Sequence, residues 1–127
     1  MERIFLVGIG GAIGSILRYW VSGWVQAASG SASFPFGTLA VNVIGCFIIG
    51  VLSWLAEARG LLTPELRVLF VVGVLGGFTT FSSFGNETMA LARDGEMWYA
   101  IANIAASLLF GLGAVWLGRN AVALIWR

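Results

Sequence analysis

Four long apolar stretches, roughly Ile4 to Ala27, Phe36 to Ala56, Leu66 to Ala92 and Met97 to Ala121, decide which solvent this chain of 127 residues can fold in. A helix crosses bilayer hydrocarbon in about 20 mostly apolar residues, and each stretch reaches that length. Only 10% of the residues are charged and 59% are hydrophobic, whereas a soluble domain carries about 25% charged residues to hold its surface in water. Backbone in lipid must satisfy its own hydrogen bonds, so the stretches are read as helices. The expectation is an all-α membrane protein of four transmembrane helices, a single domain over residues 1–127.

The breaks between the stretches, SGSASFP, EARGLLTPE and RDGE, carry turn and cap residues. Thr63 followed by Pro64 and Glu65 has the order of an N-cap with proline at the first helical position, which starts the third helix there. All basic residues are arginine: Arg3, Arg59, Arg67, Arg119 and Arg127 fall on the side of the N-terminus, Arg93 on the other, and Arg18 within the first stretch. By the positive-inside rule five against one favours both termini inside the cell. The first stretch follows only Arg3, outruns a cleaved signal and contains Arg18, so it is read as mature structure. One chain has too few helices to enclose a wet path, so an oligomer is expected.

Several chemistries are excluded. A net charge of +1 gives no basic footprint for nucleic acid. Histidine is absent, which removes the usual proton shuttle and the commonest metal ligand. The single Cys46 lies in VIGCFIIGV and reads as a small buried hydrophobe. No nucleophile stands with a base, because the acids Glu2, Glu57, Glu65, Glu87, Asp94 and Glu96 fall mostly at span ends. An enzyme is not expected.

The polar residues inside the spans are therefore the informative ones. Residues 76 to 87 read GGFTTFSSFGNE. Glycine costs a helix roughly 1 kcal/mol against alanine, and Thr79, Thr80, Ser82 and Ser83 offer hydroxyls that can replace lost backbone bonds. Non-helical backbone at membrane depth survives only in protein or along a cavity, so the third helix is expected to break near the midplane, with carbonyls freed at Gly76 to Thr79. Phe78, Phe81 and Phe84 recur every three residues, interleaved with Thr80 and Ser83, which favours a pore lining over plain packing. In the second span Thr38, Asn42 and Gly45 form one narrow polar face. Asn42 is read equally as an interhelical hydrogen bond or as a ligand contact. In the last span Tyr99, Asn103 and Ser107 recur every four residues and lead to Gly111. Arg18 either faces a partner or wet cavity or snorkels to the interface beside Tyr19 and Trp24; in both cases it adds positive potential near a vestibule. GIGGAIGS, with Gly8, Gly10 and Gly14, lacks the GxGxxG spacing, and Gly10 and Gly14 read as a close helix contact.

Taken together and in order, GGAIGSILRYW, GTLAVNVIGCFIIG and the stretch ending GGFTTFSSFGNE resemble the Fluc, or CrcB-type, family of fluoride channels, over nearly the whole chain. The resemblance implies an antiparallel dual-topology homodimer with two fluoride pores, exporting fluoride passively across the bacterial inner (cell) membrane. It implies that Phe81 and Phe84 are the pore phenylalanines and Asn42 the pore asparagine. Thr80, Ser82 and Ser83 belong to the same motif, and Glu87 matches an acid that follows it. Gly76 and Thr79 would give carbonyls to a structural sodium ion between the subunits. Asn103 and Ser107 would lie on a polar track of the last helix, where Gly111 supplies no hydroxyl. Fluoride, sodium, lipid and a second copy of the chain are thus the implied partners. The alternatives are a small four-helix multidrug or cation exporter, which would need an acid in the first span where this chain has Arg18, and a non-transporting assembly subunit.

Overall fold

The structure, a computed structural model, describes residues 1–126; Arg127, counted above with the arginines of the N-terminal side, lies outside the described residues. The chain is all-helical. Helix α1 runs Glu2–Ser29 and α2 Phe36–Arg59. Helix α3, residues 64–78, joins an α-helical turn Pro64–Arg67, a π-helical stretch Val68–Leu75 and a last turn Gly76–Phe78. Helix α4 is Phe81–Arg93 and α5 is Met97–Ile125. Four spans are long and apolar enough to cross a membrane, Glu2–Ser29, Phe36–Arg59, Pro64–Arg93 and Met97–Ile125, the third made of α3 and α4 together.

Local signals place the ends. Thr63 caps α3 through its side chain, which accepts from the Leu66 N–H at 3.3 Å, with Pro64 at the first helical position. Helices α1 and α2 stop where Gly30 (φ 66°) and Gly60 (φ 60°) turn left-handed, a conformation glycine enters without Cβ strain. Between them Gln26 ties the loop, donating to the carbonyls of Ser31 at 2.8 Å and Phe34 at 3.0 Å and accepting from the Gly37 N–H at 3.0 Å.

Packing rests on backbone contact rather than on a large apolar core. A Cβ at Gly10 would strike backbone at Leu69 and Gly73, one at Gly14 the carbonyl of Val74, and one at Gly77 the carbonyl of Gly11. The Gly10 and Gly14 face thus lies directly against α3, as the four-residue spacing predicts. Gly50 meets Val115 and Gly118 meets Phe47 in the same way, locking α2 to α5. In lipid, where apolar burial drives little between helices, such close approach is the main source of association. The outward residues suit hydrocarbon: Ile4, Ile16, Leu109, Phe110 and Leu112 are all exposed.

Ion pairs fix which ends lie together. Arg3 reaches Glu65 at 4.0 Å, Arg119 reaches Glu57 at 2.6 Å, and Arg59 donates to the Trp126 carbonyl at 2.6 Å. Ser33 donates to Glu96 at 3.1 Å at the opposite end. Arg3, Arg59, Arg67 and Arg119 therefore gather at the end that holds the N-terminus, and Arg93 at the other.

Candidate functional site

The site is organised by the join between α3 and α4. Thr79 (φ −86°, ψ 156°) and Thr80 (φ −151°, ψ 111°) are extended. Thr79 closes α3 with two bonds to the Leu75 carbonyl, N–H and Oγ1 both at 2.9 Å, while its methyl fills the space left by the missing side chain of Gly45. Asn42 takes the next peptide: its Oδ1 accepts from the Thr80 N–H at 2.8 Å and its Nδ2 donates to the Thr80 carbonyl at 3.0 Å. Thr80 then starts α4, its Oγ1 accepting from the Ser83 N–H at 3.2 Å and donating to Ser83 Oγ at 3.0 Å. An extended dipeptide between two helices has lost its helical partners, and Asn42 and Thr80 replace them.

Two consequences concern carbonyls. In a continuous helix Gly76 O would accept from the Thr80 N–H and Thr79 O from the Ser83 N–H. Both donors are spent elsewhere, on Asn42 and on the Thr80 hydroxyl. Among the described residues no backbone bond outside the helices reaches either carbonyl, and Gly76 is exposed. Neutral oxygens left without donors are the kind of ligand a hard cation takes, and Gly76 and Thr79 offer such oxygens.

Thr80 also lines two cavities. One, of about 460 Å³, is lined by Asn42, Thr79, Thr80, Phe81, Phe84 and Ser107, with Gly76 and Cys46 at its wall. The other, of about 440 Å³, is lined by Arg18, Ser22, Thr38, Thr80, Ser83 and Glu87. In the first, the Phe81 and Phe84 rings lie 5.5 Å apart at 45°, and Phe81 is 83% exposed. The buried Ser107 hydroxyl there has no hydrogen-bond partner among the described residues. In the second, Thr38 donates to Glu87 Oε1 at 2.8 Å, and Glu87 Oε2 is buried without a partner among the described residues.

The fold thus brings Asn42, Gly76, Thr79, Thr80, Phe81, Phe84 and Ser107 to one cavity, and Arg18, Ser83 and Glu87 to its neighbour across Thr80. Ser82 is exposed, 3.4 Å from the Thr80 hydroxyl. Asn103 is 1% exposed and donates to Thr88 Oγ1 at 2.9 Å. Sequence reasoning set Thr38 on the polar face of Asn42 without assigning it to the site, and did not select Ser22 or Thr88. Ser22 could have been found from its helical spacing to Arg18. Thr88 carries no such local signal, since its partner is on another helix.

The sequence profile described as CrcB-like protein, Camphor Resistance (CrcB), matches residues 5–119. A protein of Methylobacillus flagellatus named fluoride-specific ion channel FluC is 47% identical over 122 residues, covering 96% of this chain and 95% of that protein. One of the same name from Rhizobium etli is 50% identical over 115 residues, covering 91% of each. Fluoride-specific ion channel FluC 1 of Methanosarcina acetivorans is 44% identical over 119 residues, covering 94% of this chain and 89% of that protein. These relatives bear the name of an ion channel, not of an enzyme. With the match running from the first span almost to the end of the last, the chain belongs to the CrcB family.

Proposed function

We propose that this chain is a fluoride-selective channel that lets fluoride leave the cell passively, working as an antiparallel dual-topology homodimer in the bacterial inner (cell) membrane with two pores. The observation that carries the reading is the cavity beside the Thr79–Thr80 join, where Ser107 holds a buried hydroxyl without a partner among the described residues, between Asn42, the exposed Phe81 ring and the half-buried Phe84 ring. The names of the relatives, fluoride-specific ion channels, point to the same ion.

Fluoride gives up strongly held water only where donors replace it. The Ser107 hydroxyl, the one Asn42 Nδ2 hydrogen not given to the Thr80 carbonyl, and the positive ring edges of Phe81 and Phe84 are neutral donors spread along the lining. Neutral and distributed donors hold an anion without trapping it, whereas an arginine at the narrowest point would bind too tightly for release. Arg18 stands back in the neighbouring cavity with Ser83 and Glu87, where its charge raises the local anion concentration at the vestibule. Thr80 lines both, so in this reading movement from vestibule to pore passes this residue. The break in the third span lies near the membrane midplane in this reading. The carbonyls of Gly76 and Thr79 would hold a structural sodium ion on the subunit interface, its charge neutralising oxygens that otherwise face an apolar medium.

Efflux from liposomes loaded with each halide in turn tests the function. Fluoride should leave rapidly and chloride be retained; comparable rates for both would overturn the reading.

A further inference from the structure

The hairpin of α4 and α5 contains one buried polar tie that the pore lining leaves unexplained. Asn103, 1% exposed, donates through Nδ2 to Thr88 Oγ1 at 2.9 Å, and Thr88 Oγ1 donates to the Phe84 carbonyl at 2.7 Å. Among the described residues this is the only side-chain hydrogen bond joining α4 to α5. Resting on the channel reading above, we infer that Asn103 and Thr88 are positioning residues that set the register of Phe84 against Ser107.

The argument is one of helical spacing. The short turn after Arg93 makes α4 and α5 antiparallel neighbours, so a contact between Thr88 and Asn103 fixes which residues meet one turn further along. One turn toward the Thr79–Thr80 join is Phe84 on α4 and Ser107 on α5, and both line the same cavity. A leucine pair at 88 and 103 would pack the helices equally well in lipid but would permit sliding and rotation. A buried amide deprived of water demands one geometry, because breaking the bond leaves the Asn103 Nδ2 without its partner. The Thr88 hydroxyl adds a second constraint: bonding to the Phe84 carbonyl one turn back fixes its own rotamer. The tie therefore ends at Phe84, whose ring stands 5.5 Å from Phe81.

The test compares Thr88→Val, which keeps shape and removes the hydroxyl, with Thr88→Ser, which keeps the hydroxyl, each alone and combined with Phe84→Ile, by fluoride and chloride efflux from liposomes. Thr88→Val should lower fluoride efflux about three- to tenfold and narrow the fluoride-to-chloride ratio, Thr88→Ser should behave like the parent, and Thr88→Val should add nothing once Phe84 is isoleucine. Equal efflux and ratio in Val and Ser variants overturns the inference, as does a Thr88→Val loss of the same size with and without Phe84. If Thr88→Val does not survive extraction, Asn103→Ala removes the same tie and carries the comparison, and parent-like efflux and selectivity in it overturns the inference equally. A parent protein passing no fluoride removes the channel reading itself, and a conducting parent with indifferent Thr88 variants removes only the positioning role.

Discussion

The side chain of Asn42 and the peptide of Thr80 hold each other at both ends, Oδ1 accepting from the Thr80 N–H at 2.8 Å and Nδ2 donating to its carbonyl at 3.0 Å. One residue of α2 thereby stands in for the helical partners that an extended dipeptide has lost. It explains why an amide sits in an apolar span: the carboxamide offers both a donor and an acceptor in a single plane.

Asn42→Leu should therefore cost stability as well as flux. It leaves a buried N–H and a buried carbonyl without partners, each worth about 1–3 kcal/mol, so the thermal midpoint in detergent should fall and fluoride efflux with it. Asn42→Asp retains the acceptor for the Thr80 N–H and loses the donor, and its negative charge faces the anion's cavity. Efflux should drop further in the Asp variant than its loss of stability accounts for. Equal midpoints for parent and Leu variant would show that the pair contributes nothing to the fold.

Phe81→Ile and Phe84→Ile separate lining from packing. Isoleucine keeps most of the apolar area, and such swaps usually cost under about 1.5 kcal/mol, so both variants should elute as the parent does on size exclusion. Efflux should nevertheless fall in each, because an aliphatic side chain lacks the polarised ring edge. Parent-like rates in both would make the rings packing residues.

Gly14→Ala and Gly8→Ala contrast two glycines of one helix. A methyl at position 14 would run into the Val74 carbonyl, while one at position 8 meets nothing within 4 Å. Pushing α1 off α3 should cost about 1–3 kcal/mol, seen as reduced yield of folded protein after extraction, and Gly8→Ala should match the parent. Indifference to both changes would mean that the α1–α3 contact is not close in the membrane.

Sodium removal probes the Gly76 and Thr79 carbonyls. Anything bound only by the folded protein stabilises it, by about 2.7 kcal/mol at a hundredfold excess over Kd. Replacing sodium with a large organic cation at constant ionic strength should lower the thermal midpoint, and restoring sodium should raise it again. A midpoint independent of sodium would argue for water or a side chain at these oxygens.

The sequence by itself determined the solvent and the count of spans, because hydropathy over twenty residues is a sum that no neighbouring helix alters. It also determined local ends, such as the Thr63–Pro64 start, since caps depend on residues within one turn. The GGFTTFSS stretch declared where a helix would be weak, and Gly10 and Gly14 declared a close contact by spacing alone. Composition left Asn42 balanced between two roles, and only tertiary structure showed its amide committed to the Thr80 peptide, 38 residues away. The Thr38–Glu87 and Asn103–Thr88 pairs were decided at the same level. A polar side chain in lipid must find a partner, which sequence can require; which partner it finds depends on the rotation and register of two packed helices, and those are fixed by where glycines let backbones touch.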